Sequence, residues 1–256
     1  MATKRKRYSF RRGRIIEVEE YHDGRYGAPG VPRKKRKKPT KEQMIQINLL
    51  NKAKKARRKM LEYMDVGDYF ATWTYEEDAR PPDMQTALTH FKKAMRKVRT
   101  EYKKRGYEVF WFRNIERGTR GAWHIHLVIN RIPGTVSILE SAWEHGGTYA
   151  VKIKTSKHYD EDFTKLANYM TKNEHTIEYK EDGSIAKPKI KEASYWTSKN
   201  MPIQKPKEKK LERWKEFIKP QKGYYIVKDS FYEGINPVTG YPYRRYTMIR
   251  IRGDDG

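Results

Sequence analysis

Hydrophobic and polar positions in the middle of the chain switch between two periods, one near 2 and one near 3.6. Tyr69-Phe-Ala-Thr-Trp-Thr-Tyr75 is rich in aromatic and β-branched residues and reads as a strand. Pro81-Pro82-Asp83 then opens a helix in which Met84, Ala87, Leu88, Phe91, Met95, Val98 and Tyr102 share one face, until Gly106 stops it. Residues 107–115 predict a second strand and 123–129 a third, separated by a Gly118-Thr-Arg-Gly121 turn. A short helix over 135–144 carries Val136, Leu139, Ala142 and Trp143, and His145-Gly-Gly147 ends it. A fourth strand follows over 148–154 and a third helix over 159–174.

The order β-α-β-β-α-β-α predicts an α+β fold: a mainly antiparallel sheet with helices packed on one face, in the ferredoxin-like or RNA-recognition-like arrangement. No internal repeat interrupts it. Before this region, Thr40 and Gln43 have the spacing of a capping box and start a basic helix over 40–64. Its loose apolar stripe is Met44, Ile47, Leu49 or Leu50, Ala53, Met60 and Leu61, with Lys54, Lys55, Arg57, Arg58 and Lys59 facing outward. Residues 1–39 read as a flexible basic arm and 65–200 as the central domain. Residues 201–256 read as a basic linker helix (205–219) followed by a Tyr-rich β segment with turns at Asn236-Pro237 and Thr239-Gly240.

Charge sharpens the picture. The chain carries 57 Lys/Arg against 32 Asp/Glu, a net +25. Of these, 21 basic and 5 acidic residues fall in the first 60 positions, including the unbroken run Arg33, Lys34, Lys35, Arg36, Lys37 and Lys38. Such a block is expected to clamp phosphates, adding affinity but no sequence specificity. A solvated, solubilising tail is the simpler reading of the same block. A polyanion, nucleic acid above all, is the expected partner. No apolar run approaches the roughly 18 residues of a membrane span, and the basic start has no apolar core behind it, so no membrane span or secretion signal is expected. With no cysteine, a disulfide scaffold, a thiolate metal site and a cysteine nucleophile are excluded.

Three short patterns can carry chemistry. In His124-Ile125-His126 the alternation of a strand sends both imidazoles to one face, within reach of one ion, while Trp123, Ile125, Leu127 and Ile129 turn to the helices. Two solvent-exposed strand histidines have the same pattern. Glu116 lies just ahead of the Gly118–Gly121 turn, so a hairpin sets it opposite His124. Two imidazoles and a carboxylate suit Mn²⁺, Mg²⁺ or Zn²⁺ with positions open for substrate oxygens. A surface glutamate paired with Arg117 or Arg120 is the bland alternative. A non-haem iron site uses the same donors, but the basic composition argues against it. On the last helix Tyr169 and Lys172 fall together beside the buried stripe of Phe163, Leu166, Ala167 and Met170, with Lys165 close by. A phenol, with a pKa near 10, needs a polarised phosphate and a nearby cation to act as a nucleophile.

Together these residues resemble a known family. His124-Ile-His126 resembles the HUH motif (U for a hydrophobic residue) of rolling-circle replication initiators. Tyr169-x-x-Lys172 is similar to the family's single-tyrosine motif, and Phe70-Ala-Thr-Trp-Thr-Tyr75 to its first strand motif. The order along the chain also matches, over residues 66–174, closest to the initiators of small single-stranded-DNA phages and bacterial plasmids. The resemblance implies a metal-dependent nickase that rejoins strands by transesterification. Tyr169 attacks a scissile phosphate in single-stranded or hairpin origin DNA and becomes linked to the 5′ end. His124, His126 and Glu116 hold Mn²⁺ or Mg²⁺, and Lys172 steadies the phosphate or the phenolate. Arg33 to Lys38, Arg120 and Lys165 contact DNA.

The pattern also has gaps. No Gly-x-x-x-x-Gly-Lys-Ser/Thr sequence is present, so unwinding is expected from a host helicase and extension from a host polymerase, in a bacterial cytoplasm. A mobilisation relaxase or single-tyrosine transposase shares the same residues. A non-catalytic module that stacks single-stranded nucleic acid on Phe110 and Phe112 is a further alternative.

Overall fold

The computed structural model describes residues 3–22, 39–154, 162–212, 214–235 and 241–251. They fall into two compact units: Glu42–Pro202, and a second built from both ends of the chain, Met1–Lys41 with Ile203–Gly256. The class is α+β, with four α-helices among the described residues and two antiparallel sheets.

The central unit follows the expected order. Helix α1 (Lys41–Tyr63) precedes β3 (Tyr69–Thr74), α2 (Met84–Lys104), β4 (Trp111–Gly118), β5 (Trp123–Ile129), α3 (Thr135–Ala142), β6 (Thr148–Lys152), α4 (Thr164–Met170) and β7 (Ile190–Thr197). The sheet order is β6-β3-β5-β4-β7, antiparallel throughout, with β5 at its centre. Asp83 caps α2 by accepting from the Thr86 amide at 2.7 Å, a bond worth about 1 kcal/mol to such a helix. Gly121, at φ +85°, takes the left-handed turn of the β4–β5 hairpin, where a side chain would be strained.

One face of this sheet is apolar from end to end. Trp73, Trp111, Ile115, Trp123, Ile125, Leu127 and Ile129 pack on Phe91, Met95, Val98 and Tyr102 of α2 and on Ile138 and Leu139 of α3, all buried. Each such side chain contributes roughly 1.5–3 kcal/mol on burial. Within this core the indoles of Trp73 and Trp143 stack at 4.9 Å, and the Tyr102 hydroxyl donates to the Asn130 carbonyl at 2.7 Å.

The opposite face is divided, and here the expectation of helices on one face is corrected. At one end Phe70, Val128 and Phe112 stand in register across three strands and are buried. That apolar end needs cover as much as the first face does. Leu166, Ala167 and Met170 of α4 are buried on this side, where the Tyr169 ring lies 5.7 Å from Phe70. The Tyr63 ring of α1 lies 5.0 Å from Phe110. Phe112 is fully buried and Phe110 half-buried, so they do not form the open stacking platform considered above. Arg57, expected to face outward, is 2% exposed and pairs with the buried Asp162 at 2.9 Å. Strand β7, read as part of a charged loop and its unassigned continuation, adds to the sheet edge beside β4.

The terminal unit overturns two expectations. Residues 3–22 are not a flexible arm but two paired strands, β1 (Thr3–Phe10) and β2 (Ile15–His22). The physical reason is charge complementarity across the pair. Basic β1 lies beside acidic β2, with Arg5 opposite Glu20 and Lys6 opposite Glu19, and opposite charges across a ladder stabilise it. Glu20, 1% exposed, is held between Arg5 and Arg244, the latter donating at 2.7 Å. Residues 207–211 form strand β8 (Lys207–Leu211) rather than a linker helix, because they add to the free edge of β1. Strands β9 (Tyr224–Ile226), β10 (Tyr232–Ile235) and β11 (Pro242–Arg250), from the Tyr-rich segment, complete this sheet. The basic run Arg33 to Lys38 lies outside the described residues. Among the described residues no helix is long and apolar enough to cross a membrane.

Candidate functional site

The polar end of the divided face is built by register. On central β5, His124 has Thr74 of β3 on one side and Glu116 of β4 on the other, and His126 has Thr72 and Asn114. Period-2 alternation therefore collects six polar side chains from three strands on one face, directly behind the Trp123–Ile125–Leu127 row.

Helix α4 adds the hydroxyl. The Tyr169 oxygen lies 3.2 Å from His126 Nε2, and the Glu116 Oε2 lies 3.6 Å from the same nitrogen. The other ring nitrogen of His126 bonds Thr72 Oγ1 at 3.1 Å. His126 is also flanked by rings: Phe70 at 5.7 Å and Tyr169 at 5.2 Å. Tyr169 itself is 37% exposed, so its hydroxyl is open to a substrate.

Asn114 joins strand and helix. Its amide donates to Glu116 Oε1 at 2.7 Å and to the Lys172 carbonyl at 2.9 Å. The Lys172 ammonium sits 5.2 Å over the Tyr169 ring and is hydrogen-bonded to Glu178. That bond holds the Glu178 carboxyl below its ordinary range. Entry to α4 is strained: Phe163 has φ 57°, a left-handed conformation costing about 1–3 kcal/mol in a non-glycine residue, and its buried side chain fixes it.

The sequence-selected residues divide into three groups. Tyr169, His126, Glu116 and Lys172 come together. His124 shares their face, its ring parallel to that of His126 (12°) with 6.2 Å between centroids. Burial lowers the pKa of the His124 imidazole, the neighbouring His126 adds to this, and Glu116 opposes it. Arg120, in the β4–β5 turn, and Lys165, on α4, are exposed. Arg33 to Lys38 fall outside the described residues.

Two imidazoles and a carboxylate fit a divalent ion in donor chemistry, and the Thr72 bond is the kind of support that orients a ligating imidazole. Among the described residues, no three His, Asp or Glu side chains stand close enough to hold an ion as they lie. Coordination therefore requires side-chain movement, with His126 Nε2 released from the Tyr169 hydroxyl.

Residues 68–174 match the family model of the replication-associated protein ORF2.

The matched span contains β3, Glu116, both histidines, Tyr169 and Lys172, and it supports a replication-associated protein. No curated protein and no solved structure matches the chain. Thr72, Asn114 and Glu178 are not among the site residues selected from the sequence. Thr72 and Asn114 were within its reach: both lie two residues from a position already on the polar face, at the alternation that strands impose. Glu178 had no such signal, since it lies beyond α4 with no periodic pattern around it.

Proposed function

We propose that this chain nicks and rejoins single-stranded DNA at a replication origin through a covalent 5′-phosphotyrosine at Tyr169. The observation that carries the reading is the half-exposed Tyr169 hydroxyl, 3.2 Å from His126 and on the same polar patch as Glu116. The replication-associated family match favours initiation of replication over mobilisation or transposition.

In this reading Tyr169 Oη attacks the scissile phosphorus as the bond to the 3′ oxygen breaks. The phenolic proton leaves to solvent and the departing 3′ oxygen takes one up. His126 orients the phenol before attack, and the Lys172 cation over the ring favours the phenolate. Asn114 fixes Glu116 relative to the helix that carries the nucleophile. His124, His126 and Glu116 are the residues that would hold Mn²⁺ or Mg²⁺, whose chemistry here is Lewis acidity at a phosphate oxygen. The phosphotyrosine retains the phosphodiester's energy, so rejoining needs no nucleotide cofactor. The freed 3′-hydroxyl is a primer for a polymerase, and helicase activity comes from another protein.

The test is a denaturing gel of the full chain with labelled single-stranded DNA drawn from the replicon's own sequence, with Mn²⁺ and with chelator. A covalent band lost with chelator is expected. Retained DNA binding with no band on a pool containing the origin would leave a non-catalytic binding module.

A further inference from the structure

The face of the central sheet that packs α2 carries a feature that the nicking chemistry does not use. Beside β7, at the edge of the helix-packed core, lies an open groove of about 680 Å³. Lys92, Arg99, Arg113 and Lys199 contribute to its wall, Trp111 and Trp196 line it, and no carboxylate does. Lys92 and Arg99 are two turns apart on one side of α2, and both are exposed, as is Lys199. None of these three exposed side chains has an ion-pair partner among the described residues. Their neighbours on α2 are different: Lys93 and Lys97 both pair with Glu144.

Arg113 anchors the floor. It is 7% exposed, stacks its guanidinium 5.1 Å from the Phe91 ring and donates to the Ser194 carbonyl at 2.7 Å. Burial lowers its pKa to about 10, which leaves it cationic at neutral pH. Trp196 is opposite Arg113 in the β4–β7 register and therefore on the same side of the sheet. It is 58% exposed, whereas Trp73, Trp111, Trp123 and Trp143 are all buried. A large aromatic on an edge strand, in a groove walled by cations, matches what single-stranded nucleic acid requires: a ring for a base and positive charge for the backbone.

We propose that this groove is a second binding site for single-stranded DNA, on the face of the sheet opposite Tyr169, with a base stacked on Trp196 and phosphates held by Lys92, Arg99 and Lys199. The choice of DNA among polyanions rests on the reading given under Proposed function. The groove's charge and its exposed indole do not. Its purpose is to retain a length of the displaced or flanking strand while the Tyr169 face handles the scissile phosphate.

The test titrates the full chain with a ten-residue oligothymidylate, reading tryptophan fluorescence and salt dependence. Quenching is expected in the wild type and reduced in Trp196→Phe, with Trp196→Ala binding the oligonucleotide about 5- to 100-fold more weakly. The triple variant Lys92→Glu, Arg99→Glu, Lys199→Glu should flatten the salt slope by about 2, near 0.7 for each phosphate no longer neutralised. These are exposed side chains, so circular dichroism should show unchanged folding in every variant. Equal quenching and equal affinity in wild type and Trp196→Phe and Trp196→Ala would overturn the site. So would poly-glutamate binding as tightly as the oligonucleotide with no quenching by either, which indicates an acidic protein partner. The covalent-adduct gel separates the two readings. Adduct without Trp196-dependent quenching removes only the groove, and quenching without adduct removes only the nickase.

Discussion

The two faces of the central sheet share five strands and one register yet are built to different rules. On the α2 and α3 side every central-strand position is apolar, buried and in contact with a helix, so the face is a core. On the other side the same strands carry Phe70, Val128 and Phe112 at one end and Thr72, His124, His126, Asn114 and Glu116 at the other. Only the first end is covered as a core would be. The polar end holds a half-exposed hydroxyl and a histidine with both ring nitrogens engaged. One face thus fixes the register so that the other can present chemistry. A one-residue slip of β5 would exchange the two sets, and burying two histidines opposes that slip.

Substitutions on each face probe this contrast, and the largest effect is expected at the polar end. Tyr169→Phe removes one oxygen from a partly exposed ring. It should abolish the covalent adduct on a denaturing gel while leaving DNA binding and the melting temperature close to wild type. On the core face, Ile125→Ala should cost about 2–5 kcal/mol in denaturant unfolding, since the side chain is fully buried. Thr72→Val deletes the bond to His126 Nδ1 and should lower metal-dependent nicking about 10- to 100-fold, as loss of a supporting partner of a metal-ligating histidine does. A melting temperature lowered in step with activity would instead assign Thr72 to folding. The smallest effect is expected at the rim of the α2 face. Glu144→Gln disrupts exposed pairs with Lys93 and Lys97 and should change stability by less than about 1 kcal/mol.

What could be read from the sequence depended on how local the information was. Alternation in residues 123–129 disclosed which side of β5 is core and which carries the histidines, because a strand's parity is local. The order of elements from β3 to α4 was readable for the same reason. Helices on both faces were not, since Phe70, Val128 and Phe112 become one apolar patch only through register between distant strands. Arg57 looked like an outward cation until Asp162, 105 residues away, supplied its partner. The misreading of residues 3–22 has a related cause. Basic β1 looks unfoldable alone and becomes a strand beside acidic β2 and, from the far end of the chain, β8. Strand β11, equally distant in sequence, completes the other side of β2. Of the site, the four residues carried by motif spacing came together, whereas Glu178 is defined only by its contact with Lys172.

That Tyr169 is the nucleophile in strand transfer is addressed most directly by peptide mapping of the adduct. The full chain is incubated with origin-containing single-stranded DNA and Mn²⁺, digested with nuclease and trypsin, and analysed by mass spectrometry. Cleavage after Lys165 and Lys172 releases Leu-Ala-Asn-Tyr-Met-Thr-Lys, which spans Tyr169. A nucleotide mass is expected on that peptide, with fragmentation placing it on the tyrosine. A nucleotide carried instead by the peptide containing Tyr159 or Tyr179 would contradict this assignment and move the nucleophile off the α4 helix.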